Sequence, residues 1–206
     1  MKKALILILL FGVPLFAQQT DDNYYPLKPG NQWTYTYPWG KGEGEEKVVV
    51  EEFFNEYNAY LLREITKLGS ALPMTTERLI DKRKTMILDI GTRGGFGSAD
   101  WNFSSQTLLQ FPLKVGKRWK YNWGGSTVDC SVVNIGDVKV EAGKFSNVVE
   151  IRKVIWGSKK KGKKSEVIME ELRYYAPGVG LIKVESVDPK KQTKATFMEL
   201  TDYQVK

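Results

Sequence analysis

From residue 47 onward the chain is built of short apolar runs separated by turn residues, and the runs favour strand over helix. Lys47-Val48-Val49-Val50-Glu51-Glu52-Phe53-Phe54 and Ala59-Tyr60-Leu61-Leu62-Arg63-Glu64-Ile65 are rich in β-branched and aromatic side chains, which suit a pleated, half-buried surface. Asn55-Glu56-Tyr57-Asn58 between them predicts a hairpin. Residues 75–81 and 84–90 predict a second hairpin through Asp81-Lys82-Arg83. In the second half, strands are predicted at 127–135, 138–141, 148–156, 165–175, 180–187 and 195–205, with Gly, Asn, Asp and Pro between them. Glu166–Leu172 also fits about two helical turns, but its place in a hairpin favours strand. The expected fold class is all-β and antiparallel.

The chain also repeats itself. Pro26-Leu27-Lys28-Pro29-Gly30-Asn31-Gln32-Trp33-Thr34-Tyr35 aligns without a gap on Pro112-Leu113-Lys114-Val115-Gly116-Lys117-Arg118-Trp119-Lys120-Tyr121, with six of ten positions identical. Asn58–Arg63 and Asn147–Arg152 occupy similar places downstream. Two similar β repeats are therefore expected, near residues 24–107 and 108–206, forming packed sheets or half-barrels. In each opener Pro and Gly favour a tight turn. The Trp and Tyr that follow lie two residues apart, on one face of a strand. Trp33, Tyr35, Trp119 and Tyr121 are thus candidates either for an anchoring plug or for a ligand-binding surface.

The N-terminus adds a destination. Met1-Lys2-Lys3 precedes an apolar run from Ala4 to Phe16, and Ala17 is the small residue before Gln18. This is the pattern of a secretory signal peptide over residues 1–17, too short to span a bilayer core of ~30 Å comfortably. An exported protein, periplasmic or extracellular, is expected. No cysteine follows the run, so no lipid attachment is expected there, and no transmembrane span is expected elsewhere. The net charge of +7 falls to about +5 once Lys2 and Lys3 leave, which is not the profile of a nucleic-acid-binding protein.

Composition then removes function classes. Of 206 residues none is His and one, Cys130, is Cys. Serine triads, Cys-His pairs, His-ligated metals and internal disulfides are excluded. Cys130 lies between Val128 and Val132 at strand spacing, a buried setting. The chain is 42% hydrophobic and 12% aromatic, enough for a core without cross-links. Lys159, Lys160, Lys161, Lys163 and Lys164 crowd a predicted hairpin tip; besides a solvated loop, they are candidates for contact with an anionic surface. Gly91–Gly97 lacks the Lys-Ser/Thr ending of a phosphate loop and reads as a connector. Adjacent carboxylates such as Glu51/Glu52 and Glu170/Glu171 point to opposite strand faces, and none forms an evident catalytic pair. No catalytic residue, metal or cofactor is assigned.

Gly30-Asn31-Gln32-Trp33-Thr34-Tyr35, Val140-Glu141-Ala142-Gly143-Lys144-Phe145 and Tyr175-Ala176-Pro177-Gly178-Val179-Gly180-Leu181-Ile182-Lys183 together resemble a loose group of bacterial secreted proteins and lipoproteins of unknown function. That resemblance implies an exported, β-rich cell-envelope protein and carries over no catalytic residues. The functional expectation is a non-enzymatic protein that binds an apolar or amphiphilic ligand, or an envelope partner protein. The alternatives are a glycan-binding module using exposed Trp and Tyr, and a hydrolase using carboxylates alone.

Overall fold

The structure is a computed structural model that describes residues 21–40, 42–95, 97, 99–157 and 165–206. The signal-peptide segment and the five clustered lysines lie outside the described residues. Twelve antiparallel strands form one sheet. The first six are β1 (Gln32–Trp39), β2 (Gly42–Phe54), β3 (Ala59–Leu68), β4 (Met74–Arg83), β5 (Met86–Gly94) and β6 (Asn102–Gln110). The second six are β7 (Arg118–Trp123), β8 (Ser126–Val140), β9 (Gly143–Trp156), β10 (Val167–Ala176), β11 (Gly180–Val187) and β12 (Lys194–Gln204). Each set is a meander in which sequence neighbours pair, and β1 pairs with β12 to join the two. The sheet curls until β6 approaches β7 without ladder pairing between them, so the barrel is nearly closed. The all-β expectation is met by this single curled sheet, not by two sheets packed face to face.

The two openers fold alike. Gly30 and Gly116 have φ of 86° and 88°, a left-handed region that glycine enters without a Cβ clash. Gly30 N–H donates to Val50 O at 2.8 Å and Val50 N–H donates to Asn31 O at 2.9 Å. The corresponding bonds run from Gly116 to Val132 O and from Val132 to Lys117 O, each 2.9 Å. The asparagines that open the downstream segments, Asn58 and Asn147, both have positive φ, 49° and 57°, a conformation Asn tolerates better than most residues.

Trp33 and Trp119 are each 6% exposed, and each indole N–H finds a backbone carbonyl. Trp33 Nε1 donates to Val179 O at 2.7 Å, tying β1 to the turn before β11. Trp119 Nε1 donates to Thr107 O at 3.1 Å, bridging the unpaired seam between β7 and β6. Around them, Val50, Leu62, Ile80, Ile87 and Leu109 from one half and Val128, Val132, Ile151, Ile182 and Leu200 from the other belong to one buried core. A smaller cluster of Ala59, Leu61 and Leu79 packs under Phe54, Tyr57 and Trp101.

Several strand boundaries differ from expectation, three of them for reasons visible in the ladder. β8 is continuous where two strands are predicted, because register shifts at Val132/Asn134 and Gly136/Val138 absorb the apparent break at Gly136. β5 runs to Gly94, so half of the glycine-rich connector is ladder. β6 has an exposed, polar face at its start, which hides its periodicity. Replacing Trp33 or Trp119 with Ala is expected to cost ~3–5 kcal/mol, read as a lowered midpoint in urea unfolding. An unchanged midpoint in both variants would remove the anchoring role.

A cavity inside the barrel as the candidate functional site

Strand alternation sends every second side chain of β1–β4 into the barrel. Trp33 and Tyr35 on β1 face Val48 and Glu46 on β2 in register, and Val48 faces Glu64 on β3. Leu62 on β3 faces Arg78 on β4. From the second half, Arg173 on β10 faces Val184 on β11, which faces Met198 on β12. These residues, with Tyr25, Pro26, Gly180, Leu181 and Phe197, line a cavity of about 250 Å³. That is near the lower end of the ~300–1,000 Å³ usual for small-molecule sites, which suits a short chain or a single ring.

The two aromatics on β1 use up their polar atoms in holding the wall. Trp33 is anchored on Val179 O, and the Tyr35 hydroxyl donates to Leu181 O at 2.9 Å. Their ring faces remain for the cavity. The charges are arranged as pairs. Arg78 donates to Glu64 Oε1 at 2.6 Å through Nη1, and to Asp89 Oδ2 at 2.7 and 3.0 Å through Nη2 and Nε. Arg173 Nε donates to Glu171 Oε2 at 2.9 Å, and Lys153 Nζ lies 3.7 Å from the same oxygen. Satisfying buried charges in this way matters, because stranding one by removing its partner costs about 3–5 kcal/mol.

Glu46 is the exception. Among the described residues its carboxyl has no hydrogen bond or ion pair, though it lines the cavity. Burial, then the Glu64 charge, push its pKa up to about 7, with Arg78 opposing. In the second half, burial and Arg173 lower the Lys153 amine to about 8, and burial pushes the Cys130 thiol up to about 12. Cys130, opposite Lys153 across β8 and β9, is therefore a protonated core thiol.

Of the aromatic candidates, Trp33 and Tyr35 line the cavity, while Trp119 and Tyr121 do not. Trp119 holds the seam, and Tyr121 is half-buried on β7 opposite Val128. Trp33, Tyr35 and Trp119 are buried, so their rings are not displayed on the outer surface. The surface instead carries a different aromatic group, in which Tyr57, Trp101 and Phe103 touch and the Arg93 guanidinium lies 4.6 Å from the Trp101 ring. The sequence reading missed Glu46, Glu64, Arg78 and Arg173. The available signal was period two: Glu64 follows Leu62, and Arg78 precedes Ile80, on faces whose other members are apolar. Among the described residues no acidic, Cys or His cluster is placed to hold a metal ion, and no helix is long and apolar enough to cross a membrane.

No protein-family model and no curated protein matches the chain. Two solved structures share its fold. One is a protein from Parabacteroides distasonis, provisionally described as a lipoprotein, at 12% identity and a TM-score of 0.57, covering 88% of this chain and 98% of its own. The other is from Bacteroides fragilis, provisionally described as an exported protein with a YmcC-like fold, at 12% identity and a TM-score of 0.50, covering 87% and 97%. At this identity the likeness is one of fold.

Glu46 makes stability depend on pH. Its folded pKa lies above the ordinary 4.5, so the folded chain holds the proton more tightly than the unfolded chain. The stabilisation is complete below about pH 4.5 and is lost as the pH rises through about 7. Glu46→Gln is expected to raise stability relative to wild type by about 1–3 kcal/mol at pH 7.5, with a smaller difference at pH 4.5. Paired urea titrations at the two pH values check this; a difference independent of pH would contradict it.

Proposed function

We propose that this chain is an exported cell-envelope protein that holds an apolar or amphiphilic ligand inside its barrel-like sheet, as a binder and not as an enzyme. The observation that carries the proposal is the cavity. It is walled by Trp33, Val48, Leu62, Val184, Phe197 and Met198, and its few charges lie on the inner faces of β2, β3, β4 and β10. An apolar wall with a small number of placed polar groups is the usual make-up of a small-molecule site. The binder reading is supported by the commitment of the inner acids and bases other than Glu46 to one another. Arg78 is spent on Glu64 and Asp89, and Arg173 on Glu171. Export is supported by the signal-like pattern at residues 1–17 and by the descriptions of the two proteins that share the fold. We also infer that residues 24–107 and 108–206 are copies of one β unit; the matched turn hydrogen bonds at Gly30 and Gly116 support this.

A homologous series of straight-chain alcohols from pentanol to octanol tests the binding reading without involving charge. Each methylene buried contributes ~0.8 kcal/mol, so affinity is expected to rise about four-fold per carbon until the cavity is full. Met198→Trp, which puts a larger side chain into the lining, is expected to weaken the longer alcohols most while circular dichroism stays unchanged. Titration calorimetry reads both effects. Affinities that do not rise with chain length, or that Met198→Trp leaves unaltered, would overturn the interior site.

A further inference from the structure

We propose that the polar end of the ligand is a cation, an alkylated ammonium group seated against Glu46 with its chain along the apolar wall. This rests on the reading that the cavity takes an amphiphile, and it adds the charge and the contact residue. Charge arithmetic inside the first half leads there. Glu64 and Asp89 both contact the Arg78 guanidinium, and Glu46 adds a third carboxyl to the same lining within the electrostatic reach of Arg78. Arg78 is bound to two of them through Nη1, Nη2 and Nε, which leaves Glu46 without a direct partner among the described residues. In the second half Arg173, the other cation in the lining, shares Glu171 with Lys153, so the surplus positive charge there stays on that group and none of it is paired with Glu46.

The groups facing Glu46 give the same sign. Tyr35 and Tyr37 flank it on β1, Glu64 on β3 and Arg78 on β4, while Tyr25 and Arg173 line the same space. Neither β1 tyrosine supplies a positive charge, and the Tyr35 hydroxyl already donates to Leu181 O. Within the network an anionic head would meet Glu46 and Glu64 and find both arginines engaged. A neutral head would leave the Glu46 charge uncompensated. A cation supplies the missing counter-charge, and the ring faces of Trp33 and Tyr35 add the quadrupole attraction that favours ammonium groups near aromatic walls.

Three probes with the same eight-carbon chain separate charge from chain burial: octyltrimethylammonium, 1-octanol and octanoate. Their affinities for the full mature chain are measured by titration calorimetry at pH 5.5 and pH 8, for wild type, Glu46→Gln and Glu46→Asp. The expected result at pH 8 is that the ammonium probe binds at least ten-fold tighter than octanol, and octanoate weaker than octanol. The ratio of ammonium to octanol affinity is expected to fall several-fold at pH 5.5, where the Glu46 carboxyl carries its proton. Glu46→Gln should bring that ratio close to its low-pH value at both pH values, and Glu46→Asp should restore part of its pH dependence. Octanol binding without preference for the ammonium probe, tightest binding of octanoate, or a preference unmoved in Glu46→Gln would overturn the cation assignment and leave the amphiphile reading standing. Binding of none of the three probes would overturn both.

Discussion

Pairing of the first strand with the last sets everything else in this molecule. Without the β1–β12 ladder the two six-stranded meanders would each expose an edge, a liability for any sheet protein, and no enclosed interior would form. Gln32 pairs with Gln204 and Thr36 with Glu199, with one register shift at Thr34/Tyr35. That junction brings β1–β4 of one half against β10–β12 of the other, and these are the strands that line the cavity. The side-chain bonds from Trp33 to Val179 O and from Tyr35 to Leu181 O reinforce the same junction from inside. At the opposite side, where β6 and β7 do not pair, the Trp119 indole supplies a hydrogen bond across the gap.

A closed interior imposes an electrostatic condition. Charged groups moved out of water are costly unless paired, and the inner face carries two separate groups in contact, Glu64–Arg78–Asp89 and Lys153–Glu171–Arg173. Glu46 departs from this arrangement, and its raised pKa follows directly from burial and the neighbouring Glu64. The unpaired carboxyl therefore connects the wall of the barrel to its proposed occupant.

The strands were largely legible because β-branched and aromatic runs such as Lys47–Phe54 and Ala59–Ile65 carry their own signal, and the opener around Trp33 and Trp119 marks both halves. Turn chemistry was also readable, since Gly30 and Gly116 sit where positive φ is required. Closure was not readable. Nothing local in Gln32–Trp39 or Lys194–Gln204 says that these strands meet, because that pairing spans nearly the whole described chain. The cavity was hidden for the same reason. Glu46, Arg78 and Arg173 look like ordinary solvent-facing charges until the barrel register turns them inward, and only then does Glu46 differ from Glu45 beside it. Trp33 and Tyr35 stand out as a pair, yet the sequence does not separate them from Trp119 and Tyr121, which occupy like places in the openers and line no part of the cavity.

The central claim is that the molecule binds its ligand inside the barrel and not on its outer surface, where Trp101 and Phe103 offer a competing apolar contact. Intermolecular nuclear Overhauser effects between a bound octyl chain and protein labelled at its methyl groups and aromatic rings decide between the two places. The account predicts cross-peaks from the chain to the methyls of Val48, Leu62, Val184 and Met198. Cross-peaks confined to the rings of Tyr57, Trp101 and Phe103, with none to the methyls of those four residues, would contradict it.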